Sequence, residues 1–213
     1  MKRRLFTAVC TLLLTVCSLT GCGTSNHTED ITEDQLPYGA TISADSSRSM
    51  AFSYDKRFLD EELVNKLYTY YHSIETKDGE AFGSVLFPLY HEYQLTILYE
   101  NTLTDQDIID RTYDSIKDYF GYDFSYTFVD VTDLASQIGE SSSRDALAIM
   151  LDQLAQEQDM KVISEDTQKL YELTVTRYVD KQGSATKTET DDSLVGETLF
   201  AIQYQNEWYL MYS

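Results

Sequence analysis

The sequence predicts an α+β fold in which N-terminal helices pack on a curved antiparallel sheet. Three observations point there. Between residues 60 and 120, apolar side chains recur at helical spacing. After Gly121 the period drops to two, with one return to helical spacing over 142–158. The last third is a run of alternating segments joined by short turns, as in an antiparallel meander. Elements in that order form a helical layer on a sheet.

The first helix is expected over 60–79, with Leu63, Leu67, Tyr70, Tyr71 and Ile74 on one stripe. Asp60 is suited to its N-cap, and Asp78-Gly79 to its end. A short helix is expected over 80–87. Pro88 opens another, with Leu89, Tyr93 and Ile97 on one side. Thr104 begins a longer one through Ile109, Tyr113, Ile116 and Phe120, and Gly121 stops it. "YDFSYTFVDV" (122–131) alternates, with Tyr122, Phe124, Tyr126 and Phe128 on one face of a strand. Residues 142–158 form a helix through Leu147, Met150, Leu151 and Leu154. Three strands follow. The first carries Tyr171, Leu173, Val175 and Val179. The second carries Leu194, Gly196, Thr198, Phe200, Ile202 and Tyr204. The third, after Gln205-Asn206, carries Trp208, Leu210 and Tyr212.

The amino terminus follows a different logic. Lys2, Arg3 and Arg4 precede the uncharged run Leu5–Leu19, and Gly21-Cys22 precedes a polar stretch. A basic start, a short apolar run and a small residue before the break describe a secretory signal peptide. The run is 15 residues long, short of the ~17–25 that a spanning helix needs. Residues 23–50 hold few large apolar groups and read as a tether. Its reach is roughly 30 Å as a flexible chain.

"LTGC" (19–22), placed after that start, resembles the lipobox of bacterial lipoproteins. The resemblance implies cleavage before Cys22 and acylation of its thiol. The expected organisation is then a lipoprotein signal peptide at 1–21, a lipidated Cys22 with its tether at 22–51, and an α+β domain at 52–213. The other two cysteines, Cys10 and Cys17, lie in the cleaved segment. The mature chain would therefore hold one thiol and no internal disulfide, and lipidation gives that thiol a use. Several acyl chains anchor firmly where one anchors only marginally. The expected location is the extracytoplasmic face of the cell membrane. Cleavage would lower the basic count from 16 to 13 and leave all 36 acidic residues, so the net charge deepens from −20 to −23. Such a surface disfavours nucleic acid and suits a neutral or cationic ligand or a partner protein.

The element order over 52–213 is similar to the NTF2-like, cone-shaped fold, which shares its form with cystatin-like domains. "NEWYLMYS" (206–213) resembles the closing strand of such domains. The segment from "LPYGAT" to "YDKRFLDEE" is similar to uncharacterised lipoproteins of gut Firmicutes. NTF2-like enzymes of the ketosteroid-isomerase kind place an Asp base and Tyr donors inside the cone. Here Asp123, Asp130, Tyr119 and Tyr126 are the residues within reach of such a role, and the sequence singles out none.

Other chemistry is weakly signalled. His27, His72 and His91 show no pairing at metal-ligand spacing. "GESSS" (139–143) ends in Ser143 where a nucleophile elbow needs glycine. "DQDIID" (105–110) and "TETDD" (188–192) gather carboxylates without calcium-loop spacing. No catalytic, metal or cofactor residue is therefore assigned, and Cys22 is the one site residue. The 17 tyrosines, including Tyr68, Tyr70 and Tyr71 on the first helix, suit a wet binding surface or a hydrated core rim. The expected role is a lipid-anchored, non-catalytic domain binding a ligand or partner. The alternatives are a small NTF2-like enzyme acting on an apolar molecule, and an envelope scaffold without a small ligand. Cys22→Ala should release the protein from membranes and abolish metabolic lipid labelling; labelling that survives the change refutes the lipobox.

Overall fold

A single sheet organises the chain. Its strands are β1 (Ala40–Ile42), β2 (Ala51–Tyr54), β3 (Phe124–Leu134), β4 (Thr167–Lys181), β5 (Asp192–Tyr204) and β6 (Glu207–Tyr212), neighbours in that order. The sheet is open, curved and antiparallel except where β2 runs parallel to β3. This computed structural model describes residues 40–42, 48–56, 58–134, 142–158, 160–183 and 192–212. Cys22, His27 and residues 188–191 of "TETDD" lie outside them, as do Gly139 and Ser141, while Asp192 begins β5. β1 falls at the "LPYGAT" patch, inside the stretch read as tether.

The parallel β2–β3 step requires a long crossover, and the N-terminal helices supply it. They are α1 (Glu61–Thr76), α2 (Gly79–Ser84), α3 (Pro88–Tyr93), a π-helix (Gln94–Leu98) and α4 (Asp105–Phe120). Local chemistry sets their ends, at Asp60, Pro88, Thr104 and Gly121 as the sequence predicts; α1 instead stops at Thr76 with Lys77 left-handed at φ 56, and Asp78, expected at its end, caps α2. Asp60 caps α1 by accepting from the Leu63 amide at 2.9 Å. Thr104 and Asp107 cap α4 reciprocally, and Gly121 closes it at φ 78. Leu63, Leu67, Tyr71 and Ile74 of α1 are buried as expected, against Phe52, Tyr126, Leu173 and Trp208 of the sheet.

The far side of the sheet is covered too. Helices α5 (Ser142–Glu157) and α6 (Ile163–Asp166) pack Leu147, Leu151, Ala155 and Ile163 against Ile202 and Met211. Side chains alternate along a strand, so Ala201 and Leu210 face the N-terminal helices while Ile202 and Met211 face α5. Both faces of β5 and β6 are thus buried. The β6 edge is closed by Val85–Phe87, whose backbone exchanges hydrogen bonds with Leu210 at 2.8 and 2.9 Å.

Three expectations from periodicity change. An extra residue in β3 between Tyr126 and Phe128 shifts the strand's phase. Phe124 and Tyr126 stay in the core, Val129 and Val131 join them, and Phe128 turns to pack on Tyr178. A second extra residue, in β5 opposite Thr176, puts Gly196 at φ 80. It moves Leu194 to the face opposite Phe200 and Ile202. In the helices, α3 widens into the π-helix, and Ile97 emerges 61% exposed instead of joining Leu89 in the core.

Asp60 does more than cap. Its second carboxylate oxygen accepts from the indole Nε1 of the fully buried Trp208, at 3.0 Å. One side chain therefore ties the start of α1 to the last strand. Asp60→Ala removes a cap, costing ~1 kcal/mol, and leaves a buried indole N–H unpaired, costing ~1–3 kcal/mol more. Urea unfolding should show a midpoint drop of that combined size, and Asp60→Ala together with Trp208→Phe should recover part of it.

Candidate functional site

The inner face of the sheet holds a polar cluster under α1. Helical spacing turns Tyr71 toward the sheet, where its hydroxyl donates to Glu197 Oε2 at 2.7 Å. Arg177 of β4 reaches the same oxygen, with Nε 3.2 Å away. The Arg177 guanidinium carbon stands 6.0 Å from the centre of the Tyr71 ring. Tyr126 packs edge-on against Tyr71, with ring centres 5.4 Å apart. Its hydroxyl is enclosed without a hydrogen-bond partner among the described residues. Tyr71 and Tyr126 are 0% and 1% exposed; the Arg177 and Glu197 side chains retain 13% and 20%.

Burial dominates the electrostatics here. It pushes the Glu197 carboxyl above its usual range, against the opposing pull of Arg177 and the Tyr71 hydroxyl. Burial also raises the Glu75 carboxyl, despite hydrogen bonds from Ser125 and the Tyr126 amide. The phenols of Tyr70 and Tyr71 are driven well above the ordinary range for the same reason. They remain protonated, so the Tyr71 hydroxyl keeps the proton it donates to Glu197. The cluster holds one ion pair, largely screened from water by the surrounding rings.

A second polar contact joins the helices. His91 Nε2 lies 2.7 Å from Asp105 Oδ1, and both side chains are mostly covered. A Cβ at Gly83 would meet the Asp105 carboxylate oxygen, so any larger residue there must displace the side chain that pairs with His91. Nearby, Gln94 and Tyr90 both donate to the Tyr212 carbonyl, at 3.1 and 3.4 Å. This network secures the end of β6.

The outer face is hollow where the inner face is filled. A cavity of about 310 Å³ lies between α5, α6 and strands β4 and β5. Leu151, Ile163, Leu170 and Ile202 give it an apolar lining, while Arg144, Ser164 and Thr167 add polar groups. The Ser164 and Thr167 hydroxyls donate to Asp152 and to the Ile163 carbonyl, so their lone pairs remain available to accept. Arg144 pairs with Asp145 at 2.9 Å, and Asp145 is more than half exposed.

The residues considered for isomerase-type chemistry do not converge. Tyr126 alone lies in the inner-face cluster. Asp123 is exposed and bound to Lys117 at 2.7 Å and to the Tyr113 hydroxyl at 3.0 Å, and these contacts hold its carboxyl below the usual range. Tyr119 is 73% exposed. The β3 bulge leaves Asp130 out of phase with the buried Val129 and Val131. His72 stacks on Tyr68 with ring centres 5.2 Å apart. Ser142 and Ser143 begin α5 at the surface. Asp105 meets His91, Asp107 caps its own helix, and Asp110 faces Lys77 at 3.7 Å. Among the described residues, no three His, Cys, Asp or Glu side chains gather as for a metal ion.

Compared with known protein families, curated proteins and solved structures, the chain matches none.

Sequence reasoning missed Arg177 and Glu197. Arg177 left a readable trace, because it stands in phase with Tyr171, Leu173, Val175 and Val179 on an apolar face. Glu197 left none, because the bulge at Gly196 changes its face. Arg177→Met should cost about 3–5 kcal/mol in urea unfolding by stranding a buried carboxylate. With both folded-state carboxyl pKa values raised, the folded protein keeps protons that the unfolded chain has released. Stability should therefore fall as pH rises from the ordinary carboxylate range through the raised values of Glu197 and Glu75. Glu197→Gln should flatten that fall in part, and Glu197→Gln with Glu75→Gln should flatten it further.

Proposed function

We propose that this protein is a lipid-anchored, extracytoplasmic binding domain, held to the cell membrane through Cys22. Its binding site is the hollow between α5 and the outer face of the sheet. The ligand is a small neutral molecule, apolar along most of its length, with a hydroxyl or amide N–H at one end. The observation that carries this reading is the contrast between the two faces. Tyrosines and an ion pair fill the inner face, while about 310 Å³ remains open on the outer one. That volume is at the lower end of small-molecule sites, which combine an apolar lining with a few polar groups. Ser164 and Thr167 would accept from the ligand's polar end, and Arg144 would border it.

The architecture is a variant of the NTF2-like cone on this reading. Support comes from the N-terminal helices seated on the inner face and from the bulges that bend β3 and β5. The anchor rests on the sequence around Cys22. No helix among the described residues is long and apolar enough to cross a membrane.

Nile red, a neutral apolar dye, tests the site. It should bind with a fluorescence rise that Ala148→Phe, which fills the cavity wall, lowers by at least about tenfold in affinity while the melting temperature holds. Dye binding that is absent, or indifferent to Ala148→Phe, refutes the reading.

A second reading draws on Glu197, a carboxyl of raised pKa one-fifth exposed beside two tyrosines, as the base of a small NTF2-like enzyme. Turnover of an apolar ketone, lost in Glu197→Gln with the fold intact, would favour it over the binding role.

A further inference from the structure

The turn that ejects Ile97 from the core also builds a surface feature. At the π-helix, the Tyr99 amide reaches back five residues to the Gln94 carbonyl at 2.9 Å. Gln94 turns inward, 3% exposed, and its amide donates to the Tyr212 carbonyl. The widened turn sends Ile97 and Leu98 outward, 61% and 54% exposed. Ile97 does not stand on an isolated bump. With Tyr93 and Leu154 it lines a hollow of about 290 Å³ between the α3–π-helix segment and the end of α5. Glu92 and Glu157 also line it, one contributed by each helix, and both are exposed. Neither forms an ion pair with a described residue.

We propose that this groove receives a basic amphipathic helix of a partner protein. Two helices with an apolar trough between them offer the geometry for a third helix to lay its apolar face down. The hollow has room for an apolar anchor side chain against Ile97, Tyr93 and Leu154. A carboxylate on each bank then meets Lys or Arg residues flanking that anchor. Charge complementarity commits the choice of occupant. A chain of net charge −20 repels an acidic helix and an anionic lipid surface, and attracts a basic partner from a distance. Rim carboxylates of this kind act mainly on association rate and on salt dependence. The apolar contacts set how long the complex lasts. The groove lies apart from the α5 cavity and shares no lining residue with it.

The test uses the purified, isotope-labelled full chain and two model helical peptides, one of leucine and lysine, the other of leucine and glutamate. The lysine peptide should bind and shift the signals of Ile97, Tyr93 and Leu154, and the glutamate peptide should not. Glu92→Gln with Glu157→Gln should weaken binding about tenfold at low salt and reduce its salt dependence. The control pair Glu62→Gln with Asp118→Asn, on α1 and α4, should change it by less than about twofold. Ile97→Ser should speed dissociation; the side chain is exposed, so the melting temperature should hold. The proposal is overturned by no binding, by shifts mapping elsewhere, by equal weakening from the control pair, or by anionic vesicles shifting the same groove signals. The outcome is separate from the dye test, because Ala148→Phe leaves this groove intact.

Discussion

The interior of this protein is organised around a buried charge pair. Glu197 lies between Arg177 and the Tyr71 hydroxyl on the inner face of the sheet. Each partner comes from a different element: β5, β4 and α1. Enclosing a carboxylate costs several kcal/mol unless a counter-charge and hydrogen bonds compensate it. That requirement fixes three relationships together. β5 must carry the bulge at Gly196 that turns Glu197 inward. β4 must present Arg177 beside it. α1 must lie so that Tyr71 reaches the same oxygen.

The division of labour between the two faces follows. Aromatic rings and the ion pair occupy the inner face. The outer face is covered by the long helix α5, the short α6, and Phe87 and Leu89 at the start of α3. The cavity beside Ala148 and Ile202 opens between α5, α6 and the strands β4 and β5. The long helix supplies one bank of the surface groove at its other end, through Leu154 and Glu157. α5 therefore separates two different kinds of surface, one concave and apolar, the other trough-shaped and acidic.

The helices were legible because capping and spacing are local. Asp60, Thr104, Pro88 and Gly121 mark element boundaries through hydrogen bonds and dihedral limits reaching only three or four residues. The strands were legible as strands, but not by face. Phe128 was expected beside Phe124 and Tyr126, and Leu194 beside Phe200 and Ile202. In each case one inserted residue reversed the phase, and the position of a bulge depends on the neighbouring strand. Burial of both faces of β5 also weakens the alternation that periodicity relies on, since Ala201 and Ile202 are both fully buried. Of the inner cluster, the tyrosines were noticed as an excess, while the pairing of Arg177 with Glu197 joins residues 20 apart through a bulge.

By itself the sequence determined the α+β class, the start of α1, the extent of α4 and the strong negative charge. These follow from composition and short-range pattern. Tertiary structure decided which strand faces are buried, that an ion pair fills the inner face, that a hollow opens on the outer one, and that Ile97 faces solvent. Those outcomes depend on strand register, bulges and a π-turn, and each is set by contacts between residues distant in the chain.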